Sequence, residues 1–286
     1  MIIKKKKLLQ KALSSIREKR QITFIPTMGN FHKGHLSLIN YAKKKKDFTV
    51  VSIFVNPLQF DDKEDFNLYP RTLKNDIDLL KDIGVDLIYI PQPSIVNNNL
   101  SFIKTNLISE NLCGLDRPGH FSGVSTIILK FLILIQPDRI ILGEKDYQQT
   151  LVIKQIIKDF FFPTKVLILP TVRDESGLAL SSRNSLIGEK KRLSAKVIFE
   201  SLNLLAQEII EDGISISRLH FYKIKILKAG FEKVNYLEIL KEKNLLPLDD
   251  YPDKARIFIS AVIDNVRLID NISLKKKLKL KKGKIL

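Results

Sequence analysis

The chain has 286 residues, 44% of them hydrophobic, which is enough for one large or two medium domains with their own cores. Its formal net charge is +17, but the lysines fall in separated runs that are not interleaved with aromatic residues, so a nucleic-acid substrate is not expected. The single cysteine, Cys113, excludes an intramolecular disulfide framework and fits a reducing compartment.

Neither a membrane span nor a secretory signal is expected from the sequence. The most apolar stretch, 127–135, is interrupted by Lys130 and is far shorter than the roughly 20 residues that a membrane helix needs. Residues 4–7 are all lysine, and no long apolar segment follows them as it would in a signal peptide. We therefore expect a cytoplasmic protein with no membrane partner.

Strand-like apolar runs alternate with helical patterns through the first part of the chain. Strands are predicted at 22–26, 48–55, 86–90, 139–142 and 165–169, with helices at 34–46, 71–83, 124–135 and 146–160. This alternation favours an α/β fold with a doubly wound, Rossmann-like parallel sheet, in which ligands bind beyond the carboxyl ends of the strands.

The pattern changes after about residue 170. A long helix at 189–211 and a shorter one at 217–229 are predicted before strands at 235–240, 255–263 and 266–269. Helices followed by strands indicate a smaller α+β domain. We therefore divide the chain into domains at 1–172 and 173–286, the second ending in a lysine-rich tail at 274–286 to which no role is assigned.

Two of the four histidines stand in the motif His32-Lys33-Gly34-His35, directly after the first predicted strand. Gly29 allows a tight turn between that strand and a helix that begins near Gly34. The unpaired N–H groups and positive dipole of a helix start, beside two imidazoles, are suited to a phosphate. Ordinary surface histidines and an H-x-x-H zinc half-site are the alternatives, although no second ligand set with metal-like spacing is visible.

Polar side chains also follow other predicted strands. Asn56 and Gln59 come after the second strand, where amides can read hydroxyl and carboxylate groups, although Asn-Pro is equally typical of a simple turn. Lys145 and Asp146 follow the strand at 139–142, where the lysine is suited to a phosphate and the aspartate to a helix cap, a metal or a ribose. His120 is either a ligand contact or a structural cap.

A polar loop, 173–184, lies at the predicted domain junction. Ser181, Ser182 and Arg183 stand together in it, and two hydroxyls beside a guanidinium can bind a phosphate chain. A mobile loop of this kind can close over a ligand, while a flexible linker is the simpler interpretation.

These segments in this order resemble the pantoate–beta-alanine ligase (pantothenate synthetase) family of the HxGH nucleotidyltransferase superfamily. The resemblance covers most of the first domain, whereas the second is matched only by size and pattern. The segments that carry it are 26–29, 32–35, 54–60, 69–72, 120–124, 143–149 and 170–184.

The resemblance implies an AMP-forming acid–amine ligase of pantothenate and coenzyme A biosynthesis. Such an enzyme condenses (R)-pantoate with β-alanine through a pantoyl adenylate, consuming ATP with Mg²⁺ and releasing AMP and pyrophosphate. It also implies a homodimer whose first domain binds ATP and pantoate and whose second closes over the active site. The alternative is another HxGH nucleotidyltransferase, acting on a mononucleotide or phosphopantetheine.

The resemblance also implies roles for individual residues. The catalytic residues would be His35, His32, Lys145 and Arg183, with His35 acting as an acid or only stabilising phosphate charge. Gln59, Gln149 and Asn56 would bind the substrates, and Asp76 would contact the metal, directly or through water. The ATP-binding residues would be Met28, Gly29, Asn30, Phe31, His32, Lys33, Gly34, His35, Gly143, Glu144, Lys145, Asp146, Val172, Leu180, Ser181, Ser182 and Arg183.

Overall fold

The computed structural model describes residues 1–97, 101–248 and 254–274, so the predicted tail lies outside the described residues except for Leu274. The chain divides into two compact units. The first consists of Met1–Glu110, Arg117–Glu144 and Gln148–Val172; the second consists of Asn111–Asp116, Lys145–Tyr147 and the chain from Arg173 onward. The two short segments of the second unit were expected in the first domain.

The first unit contains a six-stranded sheet that is parallel, as the alternating pattern predicts, although the two-residue strand at 2–3 was not predicted. Its strands are β1 (Ile2–Ile3), β2 (Ile22–Thr27), β3 (Phe48–Ile53), β4 (Leu87–Tyr89), β5 (Arg139–Gly143) and β6 (Lys165–Leu169). They lie in the order β1-β4-β3-β2-β5-β6, and each neighbouring pair is parallel. The sheet therefore extends on both sides of β2, and the loop that carries the histidine motif follows this central strand.

Apart from those at 6–17, 63–68 and 113–116, which were not predicted, the helices differ from the predicted ones mainly at their ends. They are α1 (Lys6–Arg17), α2 (Lys33–Lys44), α3 (Lys63–Leu68), α4 (Leu73–Asp82), α5 (Cys113–Asp116), α6 (His120–Ile135), α7 (Tyr147–Asp159), α8 (Glu189–Ala195), α9 (Val197–Asp212) and α10 (Ile216–Lys228). The single helix predicted at 189–211 is wrong. The N–H of Lys196 donates to the carbonyl of Ser194, two residues back, and this interrupts the helical ladder between α8 and α9.

Burial explains why β2 is the centre of the first unit. Ile22, Phe24 and Ile25 are fully buried, as expected for a strand that is covered on both faces. Leu38 and Ile39 of α2 belong to the same cluster as Ile25, so the helix after the histidine motif packs against the sheet. The strand and helix on either side of the motif are thereby anchored in one core.

The second unit has an antiparallel sheet in the order β7-β8-β9, formed by β7 (Lys233–Lys241), β8 (Ala255–Ile263) and β9 (Val266–Ser273). Its core joins α9 and α10 to the sheet. β9 runs four residues beyond its predicted end at residue 269. Asp270 and Asn271 are poor strand formers, which is why the prediction stopped before them, but in the structure both are paired with β8. No helix among the described residues has both the length and the apolarity to span a bilayer.

Candidate active site

The predicted site residues fall in both units. The first unit holds Met28, Gly29, Asn30, Phe31, His32, Lys33, Gly34, His35, Asn56, Gln59, Asp76, Gly143, Glu144, Gln149 and Val172; the second holds Lys145, Asp146, Leu180, Ser181, Ser182 and Arg183. The contacts within each unit show how the fold holds these residues.

The loop after β2 is built around a glycine and a buried carboxylate. Gly29 has φ +83°, and a Cβ there would lie 2.8 Å from Oδ2 of Asp76, so both the backbone conformation and the space require glycine. The N–H groups of Asn30 and Phe31 donate to the two carboxylate oxygens of Asp76, at 2.9 and 3.1 Å. Asp76 is 3% exposed. It therefore fixes the backbone of the loop from α4.

The histidine motif forms the start of α2. His32 is the N-cap, and its Nδ1 accepts a hydrogen bond of 3.1 Å from the N–H of Gly34. An accepting Nδ1 leaves the ring proton of neutral His32 on Nε2. The ring of His35 lies against that of His32, with centroids 4.0 Å apart. One N–H expected to face an anion is thus used by His32, and the two imidazoles lie side by side at the helix start, where the sequence places them.

Asp76 is not suited to direct metal coordination. Each of its oxygens already accepts a backbone N–H, and the side chain is almost fully buried. Within the described residues no group of three or more histidine, cysteine, aspartate or glutamate residues is placed to hold a metal ion. The residues therefore do not fit a direct Mg²⁺ site at Asp76, and contact through water stays a prediction.

Gln59 is held in place by a network at the end of β3. Asn56 is 1% exposed, and its Nδ2 donates to Oε1 of Gln59 and to the carbonyl of Gly123, both at 3.1 Å. Nε2 of Gln59 lies 3.1 Å from the sulfur of Met28, in the loop after β2. Asn56 thus orients Gln59; its predicted contact with substrate stays a prediction.

α6 supports the same segment at close range. A Cβ on Gly123 would lie 2.0 Å from the carbonyl oxygen of Leu58, so only glycine permits this approach. His120 places Nδ1 2.7 Å from the carbonyl of Gln59, and Arg117 donates to that carbonyl at 3.3 Å. His120 was ambiguous in sequence, and here it acts as a support. No local pattern predicts this contact, because the partners are 61 residues apart.

The two adjacent glutamines at the start of α7 have different surroundings. Gln148 is 5% exposed, and its Nε2 donates to the carbonyl of Ile108 at 2.8 Å. Gln149 is half-buried, and in the part of the chain that the structure describes its amide has no hydrogen-bond partner. Gln149 can therefore bind a ligand without giving up an internal bond, whereas Gln148 is structural.

In the second unit, the cationic groups stand on two short segments. Nζ of Lys145 lies 3.5 Å from Oδ1 of Asp146, and the lysine side chain is 18% exposed. Ser181 caps a 3-10 helix, Ser182–Leu186, by accepting a hydrogen bond of 3.3 Å from the N–H of Arg183. Asn184 ties this helix back to the carbonyl of Ala179. Both segments are ordered around half-buried cations that are suited to phosphate oxygens.

Asp174 closes the turn that precedes this helix. Burial opposes ionisation of its carboxyl, but hydrogen bonds from the Ser176 hydroxyl, the N–H groups of Leu178 and Ser176, and Arg192 together hold its pKa below the ordinary value. Gly177 has φ +89°, and a Cβ there would meet the ring of Phe199 at 2.5 Å. The turn is therefore held by specific hydrogen bonds and packing and is not a flexible linker.

The comparisons with known proteins agree with this geometry. The model of the pantoate–beta-alanine ligase family matches residues 1–273. The chain belongs to the pantoate–beta-alanine ligase family. Curated relatives include the pantothenate synthetases of Acinetobacter baylyi, 41% identical over 94% of this chain and 96% of the relative, and of Thermosipho melanesiensis, 39% identical over 93% and 96%.

Solved structures of the family have the same fold. Pantothenate synthetase from Thermus thermophilus superposes with a TM-score of 0.86 at 37% identity, covering 96% of this chain and 99% of that one. The pantoate–beta-alanine ligase of Francisella tularensis, complexed with "Beta-gamma ATP" and β-alanine, has a TM-score of 0.82 at 38% identity, covering 96% and 98%. The predicted fold, family and ligase class are confirmed, and the nucleotidyltransferase alternative is not favoured.

Proposed function

We propose that this pantoate–beta-alanine ligase family member condenses (R)-pantoate with β-alanine to pantothenate, with ATP cleaved to AMP and pyrophosphate. The observation that carries the proposal is the family match over residues 1–273. The ligands of the Francisella tularensis relative, an ATP compound and β-alanine, are two of the three substrates required. Domain 1–172 would bind ATP and pantoate, and domain 173–286 would close over them.

In the first step the pantoate carboxylate attacks the α-phosphorus of ATP, a pantoyl adenylate forms, and pyrophosphate leaves. The nucleophile is already ionised, so neither a covalent enzyme nucleophile nor a general base is required, and catalysis consists of positioning and charge stabilisation. His32 would donate through Nε2, because its Nδ1 accepts from Gly34. His35 would donate beside it, and Lys145 and Arg183 would offset charge on the phosphates.

In the second step the amine of β-alanine attacks the acyl carbon of the adenylate, AMP leaves, and the amine gives up a proton. Gln59 and Gln149 would bind pantoate, and Gln59 would also place β-alanine. The amide of Gln149 is half-buried and makes no hydrogen bond among the described residues, which supports that role. Asn56 would act by orienting Gln59, because its amide group already donates to Gln59 and Gly123.

Mg²⁺, the homodimer and the cytoplasmic location are part of the proposal and come from the family resemblance. Mg²⁺ would be bound by the ATP phosphates and water, since both oxygens of Asp76 already accept backbone N–H groups. Light scattering on the purified chain measures the oligomeric state, and a monomer at micromolar concentration would contradict the homodimer.

The function is tested by product formation with the purified chain. We expect AMP release that requires ATP, pantoate and β-alanine together. Exchange of labelled pyrophosphate into ATP should require pantoate but not β-alanine. Nicotinate mononucleotide and phosphopantetheine are the control substrates. Exchange driven by either of them, without a response to pantoate, would overturn the proposal.

A further inference from the structure

Two adjacent residues of β9, Asp270 and Asn271, contact the two segments of the second unit that carry the proposed phosphate-binding cations. Neither residue belongs to the predicted site. Successive side chains of a strand point to opposite faces of the sheet, so the pair can hold one segment on each face. Both residues are buried, at 4% and 5% exposure.

Asp270 holds the start of the loop that leads to Arg183. Nη1 and Nη2 of Arg173 both donate to its carboxylate, at 2.5 and 2.9 Å, in the paired geometry that gives strong and directional contacts. The same guanidinium donates to the carbonyl of Gly177 and lies 3.8 Å from the ring centroid of Phe199. Arg173 and Ala179 also form a backbone bridge, so this clamp fixes both ends of the turn before Ser181.

Asn271 holds the main chain of Lys145. Its Nδ2 donates to the carbonyl of Lys145 at 2.8 Å, while its Oδ1 accepts from the guanidinium of Arg256. Because guanidinium nitrogens only donate, this contact fixes which end of the amide faces Lys145. Arg256 is itself 4% exposed and lies 3.9 Å from the ring centroid of Tyr147, two residues after Lys145.

We propose that Asp270 and Asn271 are positioning residues for ATP binding, which set the loop of Arg183 and the backbone of Lys145 from one strand. The N–H of Asn271 donates to Oδ1 of Asp270, so the two contacts are also coupled to each other. This inference rests on the proposed function for the phosphate-binding roles of Lys145 and Arg183.

The variant Asn271→Asp removes the donor to Lys145 and adds a carboxylate beside Arg256. It has the same shape and keeps the oxygen that accepts from Arg256, but it replaces the donor to Lys145 by an oxygen that repels the carbonyl. We expect ATP binding, measured by isothermal titration calorimetry without pantoate, to weaken about tenfold, because small displacements of charge-stabilising groups are costly. The KM for pantoate should stay unchanged, because the proposed pantoate groups belong to the first unit.

The control is Ile259→Val, which removes one methylene from a fully buried residue of β8 that pairs directly with Asp270. It should lower the Tm of the protein without changing ATP binding, since it removes no hydrogen bond to either cationic segment. Asp270→Asn is the second variant, used if Asn271→Asp does not fold; it loses one of the two acceptors for Arg173 and should also weaken ATP binding.

Unchanged ATP affinity in a folded Asn271→Asp, or in a folded Asp270→Asn where the first variant does not fold, would overturn the inference. The same loss of affinity in Ile259→Val would also overturn it, because the effect would then follow stability alone. A wild-type chain that binds ATP but makes no pantothenate would overturn the proposed function, while the comparison of ATP affinities would still decide the inference. A wild-type chain that does not bind ATP would overturn both.

Discussion

The loop after β2 and the loop before Ser181 are each fixed by one buried aspartate, but in different ways. Asp76 accepts two backbone N–H groups, of Asn30 and Phe31, so it holds the main chain of its loop directly. Asp270 instead accepts hydrogen bonds from the guanidinium of Arg173, which also donates to the carbonyl of Gly177. The first loop is thus defined by backbone conformation and the second by a side-chain clamp.

This difference teaches which substitutions each loop can tolerate. In the first loop, Gly29 has both a positive φ and no room for a Cβ beside Asp76. Any other residue at position 29 would therefore strain the backbone and require the carboxylate of Asp76 to move. In the second loop, the contact is made by the long side chain of Arg173, whose partner Asp270 lies 97 residues further along the chain. Loss of a contact in the first loop should therefore displace the histidine motif itself, whereas loss of a contact in the second loop should displace that loop.

The largest expected effect comes from removing a proposed catalytic side chain on the helix that follows the first loop. His35→Ala should reduce pantoate-dependent pyrophosphate exchange on the order of a hundredfold, because a donor to developing phosphate charge is lost. His220→Ala is the matched control, since that histidine is exposed on α10. Activity of His35→Ala within a few-fold of wild type would remove His35 from the mechanism.

Next in size is the carboxylate behind the first loop. In Asp76→Asn one N–H of the loop faces an NH₂ group instead of an oxygen, which should cost about 2 kcal/mol of stability and raise the KM for ATP about tenfold. Unfolding in urea and steady-state kinetics measure the two effects. Asp78→Asn, exposed on the same helix, should change neither, and an unaltered KM in Asp76→Asn would show that the loop does not depend on this contact.

A smaller effect should separate pantoate binding from binding at the two loops that are proposed to hold ATP. Gln149→Ala should raise the KM for pantoate about fivefold, the typical value of one neutral hydrogen bond, without changing the KM for ATP. Gln155→Ala on the same helix is the control, because that side chain donates to Asp159 at the surface. A rise in the KM for ATP equal to that for pantoate would place Gln149 elsewhere.

The smallest effect concerns the turn inside the second loop. Asp174 has a lowered folded-state pKa, so its contribution to stability is present above the unfolded pKa and is lost as the pH falls through the folded one. Asp174→Asn should therefore lower the free energy of unfolding by less than about 1 kcal/mol at pH 7. The difference from wild type should shrink below about pH 4 in urea unfolding; a difference that grows on acidification would contradict this assignment.

Much of the site could be predicted from local patterns, because its residues follow strands of a parallel sheet. The turn at Gly29 and the start of α2 are encoded by glycine, helix periodicity and the histidine spacing, all within a few residues. The contacts of Gln59 and Asp76 could not be predicted in this way. Gln59 depends on Asn56 nearby but also on His120, 61 residues away, and Asp76 reaches a loop 45 residues earlier.

The sequence by itself determined the alternating α/β order, the second domain of helices and strands, and the family, because each of these rests on short-range periodicity or on motifs read in order. Only the tertiary structure decided what holds the motifs. The strand β9 extends through Asp270 and Asn271 against their propensity, because pairing with β8 and burial outweigh an intrinsic preference of at most about 1 kcal/mol. Those two side chains then contact segments 97 and 126 residues away, a relation that no local pattern contains.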